Sequence, residues 1–119
     1  MKKVLIVDDA AFMRLAIRRV LEKNDFEVVG EAQNGEVSIA KYVECHPDVV
    51  TMDITMPDMS GIEALKKIRE LDPEAKVVMV SAMGQESMVK EAIISGAKSF
   101  IVKPFKEDHI VQMLKKIAG

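Results

Sequence analysis

Short apolar runs alternate regularly with amphipathic stretches, and this alternation constrains the fold of the 119-residue chain more than any other feature. Runs rich in Val and Ile, bounded by polar residues, are typical of fully buried strands. Between them, apolar residues recur at helical spacing. Because a parallel crossover needs a connecting helix, this order predicts a parallel sheet covered by helices on both faces, an α/β fold. The predicted strands are 4–7, 27–31, 49–52, 77–80 and 100–102, and the helices span residues 13–21, 37–43, 62–68, 88–93 and 110–117.

Length and composition narrow the class of protein. Hydrophobic residues at 49% and charged residues at 30% are typical of a soluble globular protein, and the length suits one domain over residues 1–119. The formal net charge of -2 lacks the excess of Lys and Arg that binds nucleic acid, so we expect no nucleic-acid partner. The single cysteine, Cys45, excludes an internal disulfide. With no apolar stretch long enough for a membrane span, we expect a cytoplasmic protein without membrane association.

Polar side chains stand at the ends of four predicted strands. Asp8 and Asp9 follow the first strand, Asp53 the third and Ser81 the fourth, while Lys103 follows the fifth. In an open α/β sheet, binding sites form outside the carboxyl ends of the strands. We therefore expect these five side chains to form one site.

The residue types in this set predict phosphoryl chemistry with a metal ion. Taken singly, Asp8 or Asp9 is explained equally well as a helix N-cap. Three converging carboxylates, however, repel one another by on the order of several kcal/mol, and this repulsion predicts a bound cation. Ligands that are all oxygen favour Mg2+. Lys103 and Ser81 suit the oxygens of a transferring phosphoryl group, and a carboxylate, that of Asp53, is the predicted nucleophile.

Three motifs surround these candidate residues. Residues 52–61 follow the third predicted strand, Ser81 and Ala82 end the fourth, and residues 100–105 contain Lys103 and Pro104. Together with Asp8 and Asp9, these motifs resemble the receiver domain of two-component response regulators, and the resemblance covers the whole chain. Residues 9–14 and 81–85 are most similar to the stand-alone chemotaxis regulators of that family. The resemblance implies a flavodoxin-like (βα)5 fold, with a five-stranded parallel sheet in the order 2-1-3-4-5.

The resemblance also implies a role for each site residue. Asp53 would accept the phosphoryl group. Mg2+ would be bound directly by Asp9, Asp53 and the backbone carbonyl of Thr55, and mostly through water by Asp8. Lys103 and Ser81 would pair with the phosphoryl oxygens.

A conformational switch is implied as well. Movement of Ser81 toward the phosphoryl group would let Phe100 turn inward and bias an existing two-state equilibrium. Ser81 stands where Thr is more frequent in the family, and Phe100 lacks the hydroxyl of Tyr. The readout would be the face of the fourth helix, fifth strand and fifth helix. The residues expected on this partner face are Gly84, Val89, Phe100, Val102 and Met113.

The implied function is a phosphorylation-activated switch, with chemotaxis and control of a flagellar motor as the preferred setting. The implied partners are a CheA-like histidine kinase as phosphodonor, a flagellar switch protein as target and a phosphatase. We expect a monomer that is not an enzyme for other substrates and catalyses only its own phosphorylation and dephosphorylation. Because the sequence ends at Gly119, output by protein binding is expected. A phosphorelay intermediate and the receiver fragment of a transcriptional regulator remain the alternatives.

Two unrelated classes of protein share parts of this pattern. A flavin-binding module of the same fold needs a phosphate loop rich in Ser, Thr and Gly after the first strand, where Asp8 and Asp9 would repel the flavin phosphate. A phosphatase of the haloacid dehalogenase type also uses an aspartyl nucleophile with Mg2+. Its nucleophile follows the first strand, however, whereas Asp53 follows the third. Turnover of an added phosphate ester would distinguish this phosphatase from a receiver.

Overall fold

Five strands and five helices alternate strictly along the computed structural model, which describes residues 1–119. The strands are β1 (Lys2–Val7), β2 (Phe26–Ala32), β3 (Val49–Asp53), β4 (Val77–Ser81) and β5 (Ser99–Val102). The helices are α1 (Ala11–Glu22), α2 (Gly35–Cys45), α3 (Gly61–Leu71), α4 (Glu86–Ile94) and α5 (Glu107–Ala118). Every predicted strand and helix lies inside an observed one, so the predicted element order is confirmed. None of the five helices is both long enough and apolar enough to cross a membrane.

The strands form one parallel sheet in the order β2-β1-β3-β4-β5, as the resemblance implies. The chain leaves β1 for β2 on one side and returns to β3 on the other, which opens a crevice above the carboxyl ends of β1 and β3. In the register of the sheet, Val7 lies opposite Met52 and Asp53 lies opposite Val80. The residues that follow these strands are therefore neighbours at one edge.

Two apolar clusters cover the two faces of the sheet. Leu5 and Val7 point to the face that α2, α3 and α4 cover, and Val4 and Ile6 point to the face that α1 and α5 cover. Successive side chains of a strand point to opposite faces, so a strand that is buried on both sides is apolar at most of its positions. This burial explains the continuous apolar runs in the sequence.

The start of α3 lies directly against the end of β3. Ser60 caps the helix, its hydroxyl accepting the Glu63 N–H at 3.2 Å, and the Gly61 N–H donates to the Ile54 carbonyl at 2.7 Å. A Cβ at Gly61 would overlap the backbone carbonyl oxygen of Asp53. Glycine is therefore required here, because the helix backbone packs onto the strand end that carries Asp53.

Candidate functional site

Three aspartates converge at the carboxyl edge of the sheet. Asp8 and Asp9 follow β1, and Asp53 ends the neighbouring strand β3. Carboxylate oxygens of the three residues lie within 4.8 Å of one another. Asp8 and Asp53 are only 1% and 7% exposed, whereas Asp9 is exposed to solvent. The structure thus brings together the three carboxylates that the sequence assigned to one site.

Lys103 supplies the positive charge closest to these carboxylates. Its Nζ lies 3.1 Å from Asp8 Oδ2 and 3.6 Å from Asp53 Oδ1. Burial, followed by repulsion from Asp8, raises the pKa of Asp53 to about 7, although Lys103 acts in the opposite direction. One ammonium group therefore does not balance the acidic cluster. Clustered carboxylate oxygens with excess negative charge are donors that fit Mg2+.

Ser81, at the end of the neighbouring strand β4, is the fifth side chain of the site. Ser81 ends β4 and follows Val80, the residue opposite Asp53 in the register. It is 1% exposed, and its hydroxyl makes no hydrogen bond with another group of the protein. A buried hydroxyl without a partner costs about 1–3 kcal/mol, so the site holds a donor that an anionic group could satisfy.

A match to a known protein family identifies the class to which this chain belongs. The family model described as "Response regulator receiver domain" matches residues 4–115. The chain belongs to this receiver family. The flavin-binding and haloacid dehalogenase alternatives are therefore excluded as family assignments.

Similar receivers include two proteins called "Chemotaxis protein CheY". The one from Thermotoga maritima is 56% identical over 117 residues, which cover 98% of each chain. The one from Bacillus subtilis is 58% identical over 114 residues, covering 96% of this chain and 95% of that protein. Among solved structures, a chain of the CheX-CheY-BeF3-Mg+2 complex from Borrelia burgdorferi matches with a TM-score of 0.92 and 40% identity, over 98% of this chain and 88% of that one.

The five residues predicted for the partner face line two grooves beside β5. Gly84, Val89, Phe100 and Val102 line a groove of about 600 Å³ against α4, and Ser81 lines the same groove. Phe100 is 41% exposed, so its ring lies outward. Met113 is half-buried and lines a second groove, on the α5 side, together with Phe100 and Val102.

Val89 differs from the other four residues of the predicted partner face. It is 9% exposed and belongs to the core cluster beneath α4. It packs inward because it shares the buried stripe of the helix with Ala92. Val89 therefore lies in the floor of the groove, beneath the more exposed Phe100 and Val102.

Thr55 and Gln85 connect two loops that flank the site. The Gln85 amide donates from Nε2 to the Thr55 hydroxyl at 2.7 Å, and its Oε1 accepts the Ala82 N–H at 2.6 Å. Gln85 thus ties the loop after β3 to the loop after β4. Sequence reasoning gave Gln85 no role, although it lies in the segment 81–85 that carries part of the resemblance.

Arg14 is a second residue that sequence reasoning missed. From α1 it donates through Nη1 to the backbone carbonyl of Asp8 at 2.6 Å and through Nε to Glu31 Oε1 at 3.1 Å. Arg14 lies within two turns of the acidic pair and in the segment 9–14 that carries part of the resemblance, but neither signal indicates a bond to the Asp8 carbonyl.

Proposed function

We propose that this receiver is a phosphorylation-dependent switch of chemotaxis signalling, with Asp53 as its phosphoacceptor. The observation that carries the proposal is the convergence of Asp8, Asp9 and Asp53 beside Lys103 at the switch point of the sheet. The chemotaxis setting is supported by similarity to CheY proteins over at least 95% of each chain. We extend the proposal to residues 1–119 acting as one receiver domain, in the cytoplasm and as a monomer.

The reaction is an in-line transfer of a phosphoryl group to Asp53. An oxygen of the ionised Asp53 carboxylate forms a bond to phosphorus while the bond from phosphorus to the donor breaks. The donor is a phosphohistidine nitrogen of a CheA-like kinase, or the acyl oxygen of a small acyl phosphate. The product at Asp53 is an acyl phosphate, and the donor departs with its electron pair.

Residues around Asp53 are suited to bind a metal ion. Asp9, Asp53 and the backbone carbonyl of Thr55 would hold Mg2+ directly, with Asp8 acting through water. Bound Mg2+ supplies positive charge that offsets the carboxylates and the phosphoryl oxygens.

Lys103 and Ser81 act on the phosphoryl group itself. Lys103 already lies between Asp8 and Asp53, so it can pair with an oxygen of the incoming group. The buried Ser81 hydroxyl can donate a hydrogen bond to another of these oxygens and so gain the partner that it lacks.

The same hydrogen bond couples the site to the partner face. Ser81 pairs with Val102 across the sheet and lines the groove that contains Phe100. Movement of Ser81 toward the phosphoryl group therefore alters the groove wall and favours an inward Phe100 ring. A flagellar switch protein is the target we propose for this face, and a phosphatase the protein that resets the switch.

Phosphorylation with a small donor tests the proposal directly. The protein is incubated with acetyl phosphate and Mg2+, and its intact mass is followed for the wild type, Asp53→Asn and a sample with chelator. We expect one added phosphoryl group in the wild type with Mg2+ alone. An adduct that persists in Asp53→Asn, or that forms equally well with chelator, would contradict the assignment of Asp53 and Mg2+.

A further inference from the structure

We propose that Arg14 is a positioning residue for the metal ligands, because it fixes the peptide plane between Asp8 and Asp9. The proposal rests on the metal site described under the proposed function. The Arg14 side chain is 17% exposed and reaches from α1 back over the loop that follows β1. Its guanidinium bonds to the Asp8 carbonyl and to the Glu31 carboxylate through two different nitrogens.

The bond to the Asp8 carbonyl acts on both aspartates. The carbonyl of Asp8 and the amide nitrogen of Asp9 belong to one planar peptide unit, so holding one atom of this unit orients the other. The Asp8 N–H is held separately, by the Ala32 carbonyl of β2 at 3.0 Å. On the other side of the peptide, the Ala10 N–H donates to Asp8 Oδ1 at 2.9 Å, so Arg14 acts together with this turn to fix the direction in which the chain leaves Asp8 and the placement of the exposed Asp9 side chain.

Glu31 both orients the Arg14 side chain and offsets its positive charge. Its two carboxylate oxygens accept from Arg14 Nε at 3.1 Å and from Arg18 Nε at 2.6 Å. With Nε on Glu31 and Nη1 on the Asp8 carbonyl, the planar guanidinium is held at two points, which limits the orientations open to Arg14. The charge of Glu31 also offsets that of Arg14, so the guanidinium does not compete with Mg2+ for the acidic cluster.

The direction of the change in Mg2+ affinity on mutation of Arg14 distinguishes a positioning role from an electrostatic one. Arg14→Gln removes a positive charge near the acidic cluster, and a purely electrostatic role would make Mg2+ binding tighter. A positioning role makes it weaker. We expect the dissociation constant for Mg2+, measured by isothermal titration calorimetry, to rise about tenfold, as is typical when a residue that orients a metal ligand is lost.

Two further arginines of α1 provide matched controls. Arg19 is exposed on the same helix, so Arg19→Gln removes the same charge without touching the loop. Arg18→Gln removes a bond to Glu31 but leaves the contact between Arg14 and Asp8 in place. We expect both variants to bind Mg2+ as tightly as the wild type or slightly more tightly.

The rate of phosphorylation by acetyl phosphate gives an independent readout. In Arg14→Gln, we expect the Mg2+ concentration at half-maximal rate to rise by the same factor, with a rate at saturating Mg2+ close to that of the wild type. A general structural defect would lower the saturated rate as well. Arg14→Lys keeps the charge but cannot hold both Asp8 and Glu31, so we expect an affinity between those of the wild type and Arg14→Gln.

The measured Mg2+ affinities show whether the metal site itself or only the positioning role of Arg14 is wrong. If the wild type binds Mg2+ no more tightly than Asp53→Asn, the metal site itself is wrong. If the wild type binds Mg2+ and Arg14→Gln binds as tightly or more tightly, the site stands and the positioning role is refuted. Should Arg14→Gln fail to fold, Arg14→Lys decides the matter, because unchanged affinity at unchanged charge overturns the proposal.

Discussion

Replacing Asp53 with Asn is expected to stabilise the protein in the absence of Mg2+. The Asp53 pKa is raised from 3.8 to about 7, chiefly by burial and by repulsion from Asp8. A carboxyl group whose pKa is higher in the folded state opposes folding once it ionises. The wild type should therefore lose stability as the pH rises from about 4 to about 7, and the loss should be complete above that interval.

The size of the effect follows from the shift. A change of about three pKa units corresponds to about 4 kcal/mol, which is an upper limit. The Asp53 side chain is 10% exposed, and Asp9 faces solvent, so screening reduces the repulsion. We expect Asp53→Asn to raise the free energy of unfolding by about 1–3 kcal/mol at neutral pH, and the melting temperature by roughly 4–12 °C.

Thermal unfolding followed by circular dichroism measures this effect. Wild type and Asp53→Asn are compared with chelator over the acidic to neutral range, and again with Mg2+. Asp25→Asn is the matched control, since Asp25 is exposed and has a φ of 66° that Asn tolerates well. We expect the gap between wild type and Asp53→Asn to close at acidic pH and to narrow with Mg2+.

An Asp53→Asn variant that is no more stable than the wild type at neutral pH without Mg2+ would show that the ionised Asp53 carboxylate does not oppose folding. A gap that is as wide at acidic pH as at neutral pH would show the same, because the gain could then not come from loss of an ionised carboxylate.

Three other variants test separate parts of the structure. Gly61→Ala should lower the free energy of unfolding by about 3 kcal/mol in urea melts, because its Cβ overlaps the carbonyl at the end of β3, and wild-type stability would contradict that packing. Tyr42→Phe loses the 2.7 Å bond to the Asp72 carboxylate and should cost about 1 kcal/mol at neutral pH. The bond to Tyr42 lowers the pKa of Asp72, so this cost should fade as the pH falls below about 4, and a pH-independent cost would count against the bond. Gln85→Ala should speed hydrogen exchange of the Ala82 amide about fivefold, because it removes the side-chain oxygen that accepts from that amide. Unchanged exchange would show that Gln85 does not hold the loop after β4.

The fold could be predicted because its main determinants are local. Continuous apolar runs and helical spacing reflect burial on both faces of a sheet, and turn residues such as Asn34, whose side chain accepts the Val37 N–H, mark the boundaries. The clustering of Asp8 and Asp53 was predictable for a related reason. Parallel strands place their carboxyl ends at one edge, so residues 45 positions apart in sequence become neighbours without any knowledge of side-chain packing.

Contacts made by long side chains were not predictable in the same way. The bonds from Arg14 to Asp8 and from Gln85 to Thr55 depend on rotamers and on the distance between a helix and a loop, which spacing does not define. The burial of Val89 depends on how α4 rotates against the sheet. These features appear only once the elements are packed.

Phosphorylation of Asp53 is expected to change the face formed by α4, β5 and α5. Beryllofluoride with Mg2+ mimics a phosphoryl group on a carboxylate, and amide shifts in NMR spectra report where the structure responds. We predict large shifts at the acidic site, at Ser81 and onward to Phe100 and the groove beside α4, with none of them in Asp53→Asn. Shifts confined to the acidic site, with Ser81 and Phe100 unchanged although beryllofluoride is bound, would contradict the account.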